Sequence, residues 1–260
     1  MKRLADIDID SRQLDAVIAN VEIHGSDNPA CALSGYWKGR MNFEIRKAIE
    51  GTKKLSYGYV GSGWPYKANQ DWARSKDTRG LFSAFHVDDW DTRDVGDAVY
   101  QANVLLDYIG DKGEMSIVDI GCGYGRLAIP IVYWARSKGI RLAYWGVDYV
   151  PESLLIAPQV LSQMFGIPEV PEFRSLPAWN IDALEHSGVD AFITVHSIQE
   201  MTRDAVDYYV YTADHKKGAL FYSVNLWPEE YAPASWELIF DRKFPINRDG
   251  SYNEKLWRVI

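Results

Sequence analysis

In the stretch Ile117-Val118-Asp119-Ile120-Gly121-Cys122-Gly123-Tyr124-Gly125-Arg126-Leu127, an apolar strand stops, three glycines alternate, and a helix begins. Glycine suits a chain that must turn sharply and let a ligand approach bare backbone. The helix that follows offers unpaired N–H groups and a partial positive charge to an anion. Dinucleotide binders space these glycines as G-x-G-x-x-G, which from Gly121 puts the third at position 126. That position is Arg126, and the third glycine stands one residue earlier, at Gly125.

Outward from this loop, strand-like and helix-like segments alternate, the pattern of a parallel sheet flanked by helices. Upstream, residues 97–109 read as a helix, with Ala98, Ala102, Leu105, Leu106 and Ile109 at helical spacing, before the strand 115–120. Downstream the helix runs to Lys138 and stops at Gly139, and a second strand, 142–147, ends at Asp148. Pro151 suits the first turn of the next helix, and Pro158 is expected to kink or break it before Gly166. A weak strand is read near 172–174 and a clear apolar one at 190–195, ending at His196. Thr202 caps a helix whose last turn carries Lys216 and Lys217 before Gly218, and the strand 219–224 follows. Segments 236–240 and 256–260 pair as a terminal antiparallel hairpin, with Asp249-Gly250 as turn chemistry.

The chain changes character near residue 96. Residues 11–22 read as a helix, but from Ser34 to Asp94 the text is irregular, aromatic and glycine-rich, with no sustained period. Two regions are therefore expected: an N-terminal cap or lid over 1–96, and the α/β unit over 97–260.

Composition narrows the function. The 260 residues are 47 % apolar and 25 % charged, the ordinary globular balance. With 28 basic and 36 acidic residues the formal charge is −8, a field that repels nucleic acid. The longest apolar run, 127–135, is fenced by Arg126 and Arg136 and is too short to span a bilayer. The first residues carry no apolar signal core, and Cys31 and Cys122 form no metal-ligand spacing. A cytoplasmic protein with a small-molecule substrate, no nucleic acid and no membrane span is expected, with homo-oligomerisation left open.

Asp148, at the end of the second strand, is placed to accept hydrogen bonds from both hydroxyls of a ribose. An acid there suits a nicotinamide nucleotide as well, and the alternative is a helix cap. The G-x-G-x-G form, with Asp119 two residues before the first glycine, resembles motif I of the class I S-adenosylmethionine-dependent methyltransferases. Within that group, residues 117–130, the stretch Asp190-Ala191-Phe192-Ile193-Thr194-Val195-His196-Ser197-Ile198-Gln199-Glu200-Met201, and Gly218-Ala219-Leu220-Phe221-Tyr222-Ser223-Val224-Asn225 resemble the putative sugar O-methyltransferase family. The resemblance implies a Rossmann-like fold with a mixed seven-stranded sheet and helices on both faces. It implies S-adenosylmethionine as cofactor, held by Asp119, Gly121, Cys122, Gly123, Gly125, Asp148 and Tyr149, and methyl transfer to a hydroxyl of a sugar or glycosylated small molecule. Other acceptors (amine, phenol or carboxylate), a dinucleotide oxidoreductase and a catalytically silent binder remain as alternatives.

A sugar hydroxyl is weakly acidic, so a general base is expected, and histidine suits neutral pH. His196 ends a strand at the ligand-binding edge of the sheet, and Glu200 follows four residues later, placed to orient it or touch substrate. The alternative is that His196 packs under the cofactor and Glu200 caps the next helix. His86, in Phe85-His86-Val87-Asp88-Asp89-Trp90-Asp91, is the rival base or part of a divalent-cation site, although a metal is not favoured. Asn225 suits a sugar hydroxyl, with turn capping as the alternative. Tyr57 and Trp64, in the glycine-rich run 57–66, are expected to stack on sugar rings from a lid.

Overall fold

The computed structural model describes residues 66–85, 93–185, 187–226, 231–245 and 252–260, together with positions 12, 13, 15, 16 and 19, which are helical as the 11–22 pattern predicts. Seven strands form one sheet in the order β3-β2-β1-β4-β5-β7-β6. They are β1 (Glu114–Ile120), β2 (Arg141–Asp148), β3 (Phe173–Pro177), β4 (Ala191–Val195), β5 (Leu220–Asn225), β6 (Glu237–Lys243) and β7 (Asn253–Arg258). β1 to β5 pair in parallel, and β7 runs antiparallel between β5 and β6. This is the strand order of the Rossmann-like class I methyltransferase fold, as the resemblance implied.

Helices cover both faces. Alternation along β1 explains the two cores: Ile117 joins the layer holding α2 (Arg93–Ile109), α3 (Ala128–Lys138) and α4 (Pro151–Phe165). Val118 and Ile120 join the opposite layer with α5 (Arg203–Asp214). Because the strand order reverses between β1 and β4, a crevice opens outside their carboxyl ends, where the glycine loop lies.

Two expectations change. The stretch read as irregular contains α1 (Tyr66–Ser75) and a 3₁₀ turn, Leu81–Ala84. Helix α1 is amphipathic but carries few apolar residues, so the sequence does not announce it as a buried element. Tertiary packing holds it, with Ala73 fully buried and the Trp72 ring 5.1 Å from Tyr100 on α2. Second, Pro158 does not break α4, which runs through it. Proline has no N–H for the Leu154 carbonyl one turn back, and Ser175 Oγ on β3 donates to that carbonyl instead, at 3.0 Å. The cap at Thr202 is formed, its hydroxyl accepting from the Ala205 N–H at 3.4 Å. Among the described residues no helix is long and apolar enough to cross a membrane. The turn at Asp249-Gly250 lies outside the described residues.

Candidate active site at the carboxyl edge

β1 delivers Asp119 and the glycine loop, and β2 delivers Asp148 and Tyr149. Gly121 has φ +75°, Gly123 +55° and Gly125 +80°, so all three lie in left-handed backbone. Their surroundings differ. A side chain at 121 would overlap Ser197, and one at 125 would meet Leu161 Cδ1 at 2.8 Å, so those two glycines serve packing. A Cβ at 123 would meet nothing within 4 Å. Only there does the loop present bare backbone to open space.

The Asp148 carboxylate borders that opening. Its Oδ2 accepts from the Gly123 N–H at 2.9 Å and its Oδ1 from the Val150 N–H at 2.8 Å. A carboxylate has about four acceptor positions, and these two N–H groups share them with the Tyr149 N–H and the Ser153 hydroxyl. A ribose hydroxyl would take the place of the rotatable Ser153 donor. Burial pushes its pKa up from 3.8 to about 6, against the pull of the N–H groups of Val150, Gly123 and Tyr149 and the Ser153 hydroxyl. Asp119 is also buried and raised to about 6, chiefly by desolvation. The Tyr144 hydroxyl, 2.7 Å away and kept protonated by its own burial, and the charge of Arg126 oppose that rise.

Cys122 faces away from the opening. A side chain on Gly146 would come 2.9 Å from its Sγ, which places the thiol in the β2–β3 layer. Burial and the neighbouring carboxylates hold the thiol well above its ordinary pKa, so it stays protonated. Its N–H donates to the Val147 carbonyl at 3.2 Å, so Cys122 serves the loop's geometry. Tyr149 is half-buried and packs toward the α5 layer.

β4 and β5 bring the second group together. His196 is the one non-glycine residue with positive φ among the described residues, at +58°. Its ring lies 4.3 Å from that of Tyr252 and 6.5 Å, edge-on, from that of Phe244. Glu200 closes the 3₁₀ turn Ile198–Glu200 on the same edge and is half-buried. Asn225 is 2 % exposed, and its amide joins the ends of β4 and β5. Both Nδ2 hydrogens are spent, on the Thr194 carbonyl and Ser223 Oγ, so contact with a substrate hydroxyl would fall to the second lone pair of Oδ1. The two groups meet at Ser197, whose hydroxyl donates to the Ile120 carbonyl at 2.8 Å and whose Cβ lies against Gly121.

Sequence reasoning passed over Ser197, Phe244 and Tyr252. The clash at Gly121 and the hairpin pairing of β6 with β7 reveal them, and neither is a local signal. His86, Tyr57 and Trp64 lie outside the described residues, as do the carboxylates beside His86. No cluster of three metal-ligating side chains occurs among the described residues.

No protein-family model matches the sequence, and no curated protein matches it. Among solved structures, the chain is similar to TehB from Haemophilus influenzae, at 12 % identity and a TM-score of 0.44, over 61 % of each chain. It is similar to TrmK of M. capricolum in complex with S-adenosylhomocysteine, at 12 % identity and a TM-score of 0.46, over 62 % of this chain and 68 % of that one. The rRNA methyltransferase AviRa from Streptomyces viridochromogenes matches at 12 % identity and a TM-score of 0.43, over 64 % of this chain and 84 % of that one. The chain thus spans about 61 % of TehB's length. At these identities and TM-scores a neighbour's activity does not transfer, and function has to be argued from the site.

Proposed function

We propose that this chain is an S-adenosylmethionine-dependent methyltransferase acting on a hydroxyl of a sugar or glycosylated small molecule. The observation that carries the reading is Gly123, open to space in left-handed backbone, with the Asp148 carboxylate 2.9 Å from its N–H. That is a cradle for a nucleoside: bare backbone on one side, an acceptor for ribose hydroxyls on the other. Asp119, held by Tyr144, supplies a second buried acceptor beside the loop.

The bound cofactor supplies an electrophilic methyl group on a sulfonium. The chain aligns the acceptor with it and takes the hydroxyl proton. Alignment of this kind contributes on the order of 7–11 kcal/mol. His196, half-buried on the neighbouring strand end, is the residue we assign to receive the proton, a contribution of about 10²–10⁴-fold. Tyr252 and Phe244 give that region aromatic walls, which suit the apolar face of a sugar ring. Tyr57 and Trp64 are assigned to the same acceptor from the 1–96 cap.

Calorimetric titration with S-adenosylhomocysteine tests the cofactor. Saturable binding by the wild type, weakened about tenfold or more in Asp148→Asn, is expected. Absence of binding by the wild type would overturn the assignment. A panel of free and nucleotide-linked sugars, scored for a one-methyl mass gain with and without EDTA, then tests acceptor class and metal dependence.

A further inference from the structure

We infer that Asn225 is a positioning residue that sets His196 in its left-handed conformation, acting through the backbone on both sides of the kink. The inference rests on the reading of His196 as the group that faces the acceptor.

A β-strand carries its ladder forward as long as its residues stay extended. β4 does so as far as the His196 N–H, which donates to the Val224 carbonyl at 2.8 Å. At His196 the chain turns to φ +58°, a conformation in which Cβ crowds the following carbonyl. The ladder then has no backbone partner for the next N–H. Asn225 supplies one from its side chain: its Oδ1 accepts from the Ser197 N–H at 3.1 Å.

The same amide reaches back across the kink. Its Nδ2 donates to the Thr194 carbonyl at 3.0 Å and to Ser223 Oγ at 2.8 Å. One planar group therefore grips the chain before and after residues 195 and 196. The amide cannot be reversed, because a flip would set NH₂ against the Ser197 N–H and oxygen against the Thr194 carbonyl. Ser197 is fixed a second time, its hydroxyl bonded to Ile120 O and to Thr194 Oγ1, each at 2.8 Å. With both flanks held, the imidazole is delivered 4.3 Å from the Tyr252 ring.

Two substitutions separate positioning from general support. Asn225→Ser is too short to span the kink. Tyr231→Phe removes the hydroxyl that meets Ser223 Oγ and the Asn225 amide but leaves the bonds of Asn225 to Ser197 and Thr194, the two that grip the kink. The readout is the imidazole proton signal of His196 by NMR, assigned with His196→Gln and followed through a pH titration. Asn225→Ser is expected to shift that signal and the pH at which it titrates, since the ring leaves Tyr252. Tyr231→Phe is expected to leave both in place. An unmoved His196 signal in folded Asn225→Ser, or an equal movement in Tyr231→Phe, would overturn the proposal.

If Asn225→Ser does not fold, His196→Gly and His196→Ala decide. Both delete the imidazole and its contact with Tyr252, so a held left-handed residue is expected to melt higher as glycine than as alanine, and the reverse order refutes the strain on which the inference depends. Failure of wild-type protein to bind S-adenosylhomocysteine would sink the methyltransferase reading while leaving the NMR comparison interpretable, so the two failures are distinguishable.

Discussion

At the scale of single residues, the three loop glycines share a backbone conformation but differ in what surrounds them, and substitution separates their roles. Gly123→Ala has room for its methyl group and is expected to cost roughly 1–2 kcal/mol of stability, from strain alone. Its affinity for S-adenosylhomocysteine is expected to fall about tenfold or more, because the methyl enters the cradle. Gly121→Ala pushes into Ser197 and adds an overpacking cost to the same strain, about 2–5 kcal/mol in all. Urea unfolding and calorimetry on the two variants check the order, and equal stability losses would contradict it. The sequence alone marks all three glycines as ligand-facing. The distinction lies in Ser197, Ala157 and Leu161, which approach from other elements.

Asp148 and Asp119 give the site a pH dependence whose two branches run in opposite directions. Both carboxyls rise from an ordinary 3.8 to about 6, so between pH 4 and 6 the folded chain holds protons that the unfolded chain has released. Ligand-free stability is therefore expected to fall as pH rises through that window and to level off above about 6. Affinity for S-adenosylhomocysteine is expected to rise over the same range, since ionised Asp148 is the better acceptor for ribose hydroxyls. Thermal melts and titrations at pH 5 and pH 7 check the pair of trends. A melting temperature that climbs between them would show the carboxyls to be favourably ionised in the fold.

At the scale of elements, α4 shows how a strand can repair a helix. Ser175→Ala on β3 leaves the Leu154 carbonyl without the donor that Pro158 cannot provide, at an expected cost of about 1 kcal/mol. In a Pro158→Ala background the new N–H can serve that carbonyl, so the second cost is expected to shrink toward zero. A double-mutant cycle by urea denaturation measures the difference, and additive costs would show the bond to be incidental. The same case marks the limit of reading elements from sequence. Proline at 158 is a correct local signal for a break, overruled by a hydroxyl 17 positions later in the chain. Helix α1 is the converse: Trp72 and Ala73 are too few to set a period, and α2 supplies the surface that makes them a buried face. Where a signal is local and self-contained, as with Thr202 before α5, the sequence suffices. At the other end α5 stops at Asp214, so Lys216, Lys217 and Gly218 lie in the turn beyond it and the expected basic last turn is not formed.

At the scale of the whole molecule, Glu254 ties three parts of the fold together. It is fully buried on β7, one residue inside the carboxyl edge, opposite Val224. Its carboxylate accepts from the Tyr100 hydroxyl of α2 at 2.9 Å, the Tyr222 hydroxyl of β5 at 2.6 Å, and Arg242 Nε of β6 at 2.7 Å. Helix layer, sheet centre and sheet edge thus converge on one charge, close to the hairpin residues Phe244 and Tyr252 that flank His196. A buried charge is tolerable only while its acceptor positions are filled. Tyr100→Phe and Tyr222→Phe are each expected to cost about 1.5–3 kcal/mol, the range for a hydrogen bond to a charged group. The double variant leaves the carboxylate to a partly exposed arginine, so its cost is expected to exceed the sum of the two. Urea denaturation of the four proteins tests this. A purely additive double variant would show the two tyrosines to be independent supports, and the sheet edge would then be fixed by packing, with the charge playing no organising part.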